Sequence, residues 1–185
     1  MNKVSEYITI LKAQLKIRKQ KDFKIDKTLT DKLAQCPCST KYHGAYPGGL
    51  VDHLLNVTNL SYRLSHLFTL SINDRSSLMF CSLIHDLGKL GNCDSDLYLP
   101  NPDSNTREKV PFIANTSLIS IPHETRTLYW LDRMNIHGLT EDELQAICYH
   151  AGPYKSGYMD SIRKESNLLV LLHSADNLAT KIIER

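Results

Sequence analysis

Leu83-Ile84-His85-Asp86-Leu87-Gly88-Lys89 is the stretch on which the reading of this chain turns. On a helix, a His followed directly by an Asp sets the two side chains about 100° apart, so both can approach one cation. Leu78, Cys81 and Ile84 lead into the pair at helical spacing, with Ser82 as the polar break. An imidazole and a carboxylate closing such an apolar run are buried on folding, and a buried carboxylate is costly unless a cation pairs with it. The heptad alone leaves two readings: a metal-binding pair, or a His-Asp pair at a helix C-terminus hydrogen-bonding to its neighbours. The rest of the chain has to separate them.

Composition sets the bounds. A chain of 185 residues is long enough for one domain with a substantial core and too short to expect two. We read residues 1–185 as that domain, with a helical, basic segment at 1–40 packed on a core at 42–178. Hydrophobic residues at 42% and charged residues at 23% are ordinary for a globular protein, and a net charge of +2 compels no binding to nucleic acid or membrane. No apolar run approaches the roughly 18 residues of a membrane span, and Met1-Asn2-Lys3-Val4-Ser5-Glu6 lacks a secretory leader's apolar run. Five cysteines without CxxC spacing argue against zinc-finger and redox roles, with Cys81 and Cys148 read as buried thiols. The expected setting is a reducing cytoplasm, without a membrane partner.

Helical periodicity dominates the chain. Val4, Tyr7, Ile8, Leu11 and Leu15 predict an amphipathic helix over residues 3–20. Seven Lys and Arg against two Asp between Lys12 and Lys27 read as a solvated face. Residues 28–49, ending in Tyr42-His43-Gly44-Ala45-Tyr46-Pro47-Gly48-Gly49, read as a loop whose backbone can approach another group closely. A helix over about 49–68 carries His53 on its apolar stripe. Ser71 to Asp74 caps the next, which ends in the His-Asp pair. Around 97–116 the rhythm breaks, and a small β-hairpin or lid is expected. Pro122 opens a helix with His123 in its first turn. Thr140-Glu141-Asp142-Glu143 is a capping box opening a helix to His150. The last helix, about 166–184, has Leu168, Leu169, Leu172, Ala175, Ala179 and Ile182 inward, with Asp176 among them.

His53, His85, Asp86, His123, His150 and Asp176 are therefore all polar residues on apolar faces. Four imidazoles and two carboxylates form a complete ligand set for two divalent transition metals, with Asp86 bridging. Nitrogen and oxygen donors favour Mn²⁺, Fe²⁺, Co²⁺ or Zn²⁺.

In order and motif the set resembles the HD superfamily of metal-dependent phosphohydrolases. The matching residues are Gly48-Gly49-Leu50-x-x-His53, His85-Asp86-Leu87-Gly88-Lys89, His123, His150 and Asp176, spanning about 42–178. The resemblance implies an all-α HD-domain bundle holding the metals centrally, and the two additional histidines fit its two-metal branch. It implies hydrolysis of a phosphoester of a nucleotide, cyclic nucleotide or short oligonucleotide, with two metals polarising the phosphoryl oxygen and activating a water.

Asp86 and Lys89 are the catalytic candidates. Lys89 is expected to place its ammonium at the substrate phosphate without being a ligand. Tyr46, Gly48, Gly49, Tyr98 and Tyr154 are candidate substrate contacts at the rim, with Phe112 a further stacking surface. Two alternatives stay open: an HD-type di-iron oxygenase acting on a small polar substrate, whose His-Asp segment can also carry the lysine, and a metal-stabilised binding module. The residues do not fix the oligomeric state.

Overall fold

A computed structural model describes residues 2–103, 110–152 and 164–184. It is mostly α-helical with one small antiparallel hairpin, as the periodicity predicts. The described α-helices are α1 (Lys3–Ile17), α2 (Lys27–Gln35), α3 (Gly49–Leu67), α4 (Ile72–Ile84), α5 (His123–Arg133), α6 (Glu141–Tyr149) and α7 (Asn167–Leu178). A 3₁₀ turn, Leu87–Leu90, follows α4, and a π-helical turn, Ala179–Ile183, extends α7. The hairpin pairs β1 (Tyr98–Pro100) with β2 (Phe112–Ala114), Leu99 opposite Ile113. The expected hairpin at 97–116 is thus present, with Phe112 turned inward and its N–H on the Thr40 carbonyl, 3.3 Å away.

The helices begin where their caps say they should. Asn2, Ser71, Thr140 and Ser166 each accept a first-turn N–H, and Thr140 with Glu143 completes the capping box. Such caps satisfy donors that helix geometry leaves orphaned, each contributing about 1 kcal/mol.

Three stretches depart from the sequence reading. The first part of the stretch 28–49, read as a loop, belongs to α2: Asp26 caps it by accepting from Leu29 N at 2.8 Å, and Leu29 and Leu33 are buried four apart. Pro37 ends it by forcing Cys36 into extended backbone, φ −69° and ψ 123°. The His-Asp pair lies beyond regular helix. His85 is the C-cap of α4, and Asp86 sits at φ −107°, ψ 10°, a bridge conformation sparsely used outside turns and active sites. At the C-terminal end, the expected single helix widens into the π-helical turn, where Glu184 N reaches Ala179 O at 3.0 Å. The wider turn changes the helical phase, so Ile182, expected inside, is exposed.

One cluster of buried apolar side chains runs from Tyr7, Leu11 and Leu15 of α1 through Leu50 and Leu54 of α3 to Leu169 and Leu172 of α7. Burial of a leucine of this kind stabilises the fold by about 1.5–3 kcal/mol. α3 packs against α4 and α7, α6 against α7, and α5 against the 3₁₀ turn. The contact of α5 with the turn is close because residue 88 is glycine: a Cβ there would lie 1.8 Å from the His123 carbonyl oxygen. Thr127 fixes the same contact, accepting from Gly88 N at 3.0 Å and donating to the His85 carbonyl at 2.8 Å. The end of α4 is held from the other side by the buried Tyr7 hydroxyl, which donates to Leu83 O at 2.7 Å. These contacts fix the turn that carries Asp86.

Candidate metal centre

Six polar residues predicted from sequence converge where the helix ends meet. His53 comes from α3, His85 and Asp86 from the break after α4, His123 from the first turn of α5, His150 from the C-cap of α6, and Asp176 from α7. Asp86 lies between them. Its Oδ1 is 3.1 Å from His123 Nε2 and 3.3 Å from His150 Nε2. Its Oδ2 is 3.4 Å from His53 Nε2 and 3.6 Å from His85 Nε2. Asp176 Oδ1 lies 3.2 Å from His53 Nε2. His53, His85, Asp86 and His150 are buried, and a pocket of about 450 Å³ opens onto Asp86, His123, His150 and Asp176.

The tautomers show what these nitrogens are fit for. His85 Nδ1 is 3.0 Å from Ser82 O, His150 Nδ1 is 2.8 Å from Ile147 O, and His53 Nδ1 is 3.0 Å from the Glu184 carboxylate. Each acceptor requires an N–H at Nδ1, so a neutral ring directs the Nε2 lone pair inward. An Nε2 lone pair facing a carboxylate oxygen is repulsive unless a proton or a cation stands between them. His53 Nε2, His85 Nε2 and Asp86 Oδ1 are accordingly buried without a hydrogen-bond partner among the described residues. Donors around one cation at bonds of 2.0–2.2 Å lie roughly 2.9–3.5 Å apart, close to the separations here. His53, His85 and Asp176 can hold one ion, and His85, Asp86 and His150 another. The residues present fit a divalent metal.

Electrostatics divides the groups. Burial opposes ionisation of Asp86, but Lys89 and the surrounding histidines hold its carboxyl well below the usual range. Burial also opposes charge on Asp176, which His53 holds low. Burial brings His85 down to about 3, so it stays neutral and available as a donor. His53 goes the other way: burial disfavours its charge, yet Cys38, Asp176 and Glu184 raise it well above 6.5. His150 is also raised, with Asp86 outweighing burial. Protons on these two rings occupy the place a cation would take.

Lys89 lines the pocket, but its ammonium is directed first to Asp86: Nζ lies 2.6 Å from Oδ2, one 3₁₀ turn away. Other rim expectations fare differently. Tyr46 is exposed and donates to Asp52 Oδ2 at 2.7 Å, Gly48 serves as the N-cap of α3, and neither lines the pocket. Gly49 is a packing glycine whose Cβ would meet Gly44 O at 2.0 Å. Tyr98 is half-buried in β1 near Lys89 and also lies off the pocket wall. Tyr154 lies outside the described residues. The wall is built instead from His43, His173, Asn177, Thr180 and Lys181.

The loop from His43 to Gly49 was expected at the rim, and His43 is indeed on the wall, but sequence reasoning missed Glu184 and Cys38. Glu184 orients His53 only because the π-helical turn redirects it, and periodicity carries no signal for that. Cys38 is buried, 3.5 Å from Lys89 Nζ; burial resists its ionisation, yet Lys89, His53 and His43 bring the thiol down to about 6. Cys148, expected inside, is only partly buried. No helix among the described residues is long and apolar enough to cross a membrane. In comparisons with protein families, curated proteins and solved structures, the chain finds no match.

Proposed function

We propose that this chain is a two-metal phosphohydrolase or phosphodiesterase of the kind the HD superfamily represents, acting on a nucleotide, cyclic nucleotide or short oligonucleotide. One observation carries the reading. Asp86 turns one oxygen to His123 and His150 and the other to His53 and His85, as a carboxylate shared between two ions must. His53, His85, Asp86 and Asp176 would hold one divalent transition metal, and Asp86, His123 and His150 the other. Bound there, Mn²⁺, Fe²⁺, Co²⁺ or Zn²⁺ would supply Lewis acidity toward a phosphoryl oxygen and lower the pKa of a water.

The chain's own groups prepare the site. Hydrogen bonds at Nδ1 fix the rings of His53, His85 and His150, so no reorientation is needed on loading. The Lys89 ammonium, 2.6 Å from Asp86 Oδ2, gives the inner wall a positive charge, and Lys181 adds another at the wall. That charge suits an anionic phosphoester. The pocket of about 450 Å³ has room for a phosphoester and part of its leaving group.

Metal analysis of protein purified without chelators, paired with a hydrolysis screen over phosphomonoesters, cyclic nucleotides and short oligonucleotides, tests the proposal. The expected result is about two ions per chain and, with Mn²⁺, release of phosphate and nucleoside from a monoester or of a nucleoside monophosphate from a cyclic nucleotide or oligonucleotide, with metal and activity both lost in Asp86→Asn. Two irons with O₂ consumption and no hydrolysis would overturn it in favour of the oxygenase.

A further inference from the structure

Beside the Asp86 centre lies a second group of donors, two of which, Cys38 and His43, its chemistry does not use. Ligand atoms of Cys38, His43 and His53 lie within 4.8 Å of one another. We propose that these three residues form a thiol-containing metal site for a thiophilic divalent ion such as Zn²⁺, sharing His53 with the Asp86 centre.

The loop that carries the first two donors is built to hold them. Cys38 N donates to Gly44 O at 2.8 Å, and Ser39 Oγ donates to His43 O at 2.8 Å. Tyr42 N in turn donates to Ser39 Oγ at 2.9 Å. Gly44, at φ +59°, leaves no space for a side chain: a Cβ would lie 2.7 Å from Cys38 Cβ. The backbone from 38 to 44 is therefore closed on itself, with sulfur and imidazole on the side facing α3. His53 is fully buried there, and its ring centroid is 5.3 Å from that of His43.

The chemistry differs from that of the neighbouring centre. A tetrahedral zinc with bonds of about 2.0–2.3 Å sets its nitrogen and sulfur donors roughly 3.3–3.6 Å apart, so closure requires a contraction of about 1 Å. Sulfur selects softer ions than the nitrogen and carboxylate donors around Asp86 do. The Lys89 ammonium stands 3.5 Å from Cys38 Sγ and favours the thiolate, the form that ligates a metal; an ion there would take the place of that contact. Cys36 is not part of the site, since its thiol donates to the Pro37 and Lys89 carbonyls, each at 3.3 Å. Because His53 is shared, an ion at Cys38 draws on a donor of the Asp86 centre. That linkage, though not the site itself, rests on the two-metal reading above.

The test is a titration of chelator-treated full-length protein with Co²⁺ and, separately, Cd²⁺, followed by ultraviolet absorption. The expected result is a thiolate-to-metal charge-transfer band whose final amplitude corresponds to one thiolate–metal bond per chain. It should vanish in Cys38→Ser and persist in Cys36→Ser and His85→Ala. Absence of the band in the wild-type protein overturns the site whether or not any variant folds. Survival of the band in Cys38→Ser overturns it by assigning the signal to another cysteine. Its loss in His85→Ala also overturns it, by merging the thiol into the Asp86 centre. His43→Ala, at a partly exposed position, should weaken the Cd²⁺ affinity by about tenfold or more, and unchanged affinity overturns the assignment of that ligand. The band requires no turnover. An inactive protein that shows it refutes only the hydrolase reading, and an active protein without it refutes only this site.

Discussion

At Asp86, burial and charge pull in opposite directions, and the outcome governs how the site takes up metal. Its carboxylate stays ionised because Lys89 and four histidines surround it, while His53 and His150 carry the protons that balance the cluster. Both imidazoles are raised above 6.5, so their protonation stabilises the metal-free fold below that value and ceases to do so as pH rises through the raised value. Metal must displace the same protons. Affinity for Mn²⁺ should therefore rise between about pH 6 and pH 8, by up to tenfold per unit for each proton displaced, while the metal-free protein loses stability over the same span. Calorimetric titration at the two pH values checks this, and pH-independent affinity would mean that the two rings give up no proton when metal binds. Lys89→Met tests the neighbouring cation: kcat/KM for a phosphoester should fall about 10²-fold, with metal content preserved. Loss of metal in that variant would instead make the lysine a support for Asp86. These polar residues were legible one by one because each interrupts an apolar stripe. The tautomers were not, because they depend on carbonyls at the ends of α4 and α6 and on Glu184.

On the scale of the elements, the centre depends on how α5 meets the 3₁₀ turn. His123 reaches Asp86 only because Gly88 lets the α5 backbone approach, and Thr127 ties the two together. Gly88→Ala places a methyl where the His123 carbonyl stands and should push the first turn of α5 outward. We expect metal content to fall from about two ions to about one, since His53, His85 and Asp176 do not depend on α5, with a stability loss of about 1–3 kcal/mol from overpacking. Two retained ions would show that the contact yields elsewhere. Helix starts were readable because capping chemistry is local. The end of α4 at the His-Asp pair was readable too, but three features were not: α2 shows only Leu29 and Leu33 as apolar anchors over nine residues, the bridge conformation of Asp86 has no residue-type signal, and the π-helical turn has no side-chain signature.

Across the whole molecule, the proposed metal donors come from segments far apart in the chain, from His53 on α3 to Asp176 on α7, and the unfolded chain cannot offer that set. An ion that binds the folded state alone stabilises it by about 2.7 kcal/mol at a hundredfold excess over its Kd. For a chain of this size, 1 kcal/mol moves the melting temperature by about 2–4 °C, so loading should raise it by roughly 5–10 °C and chelation should reverse the shift. The comparison needs a variant that is folded without metal. Asp86→Asn keeps the shape of the side chain, and by leaving Lys89 without its buried counter-charge it should begin less stable than the wild-type protein. Added Mn²⁺ should then produce little or no shift in Asp86→Asn, while wild-type protein shows the full rise. Differential scanning calorimetry with and without metal reads both arms. An equal rise in both proteins would mean that the ion binds elsewhere on the fold, and the bridging role of Asp86 would have to be given up.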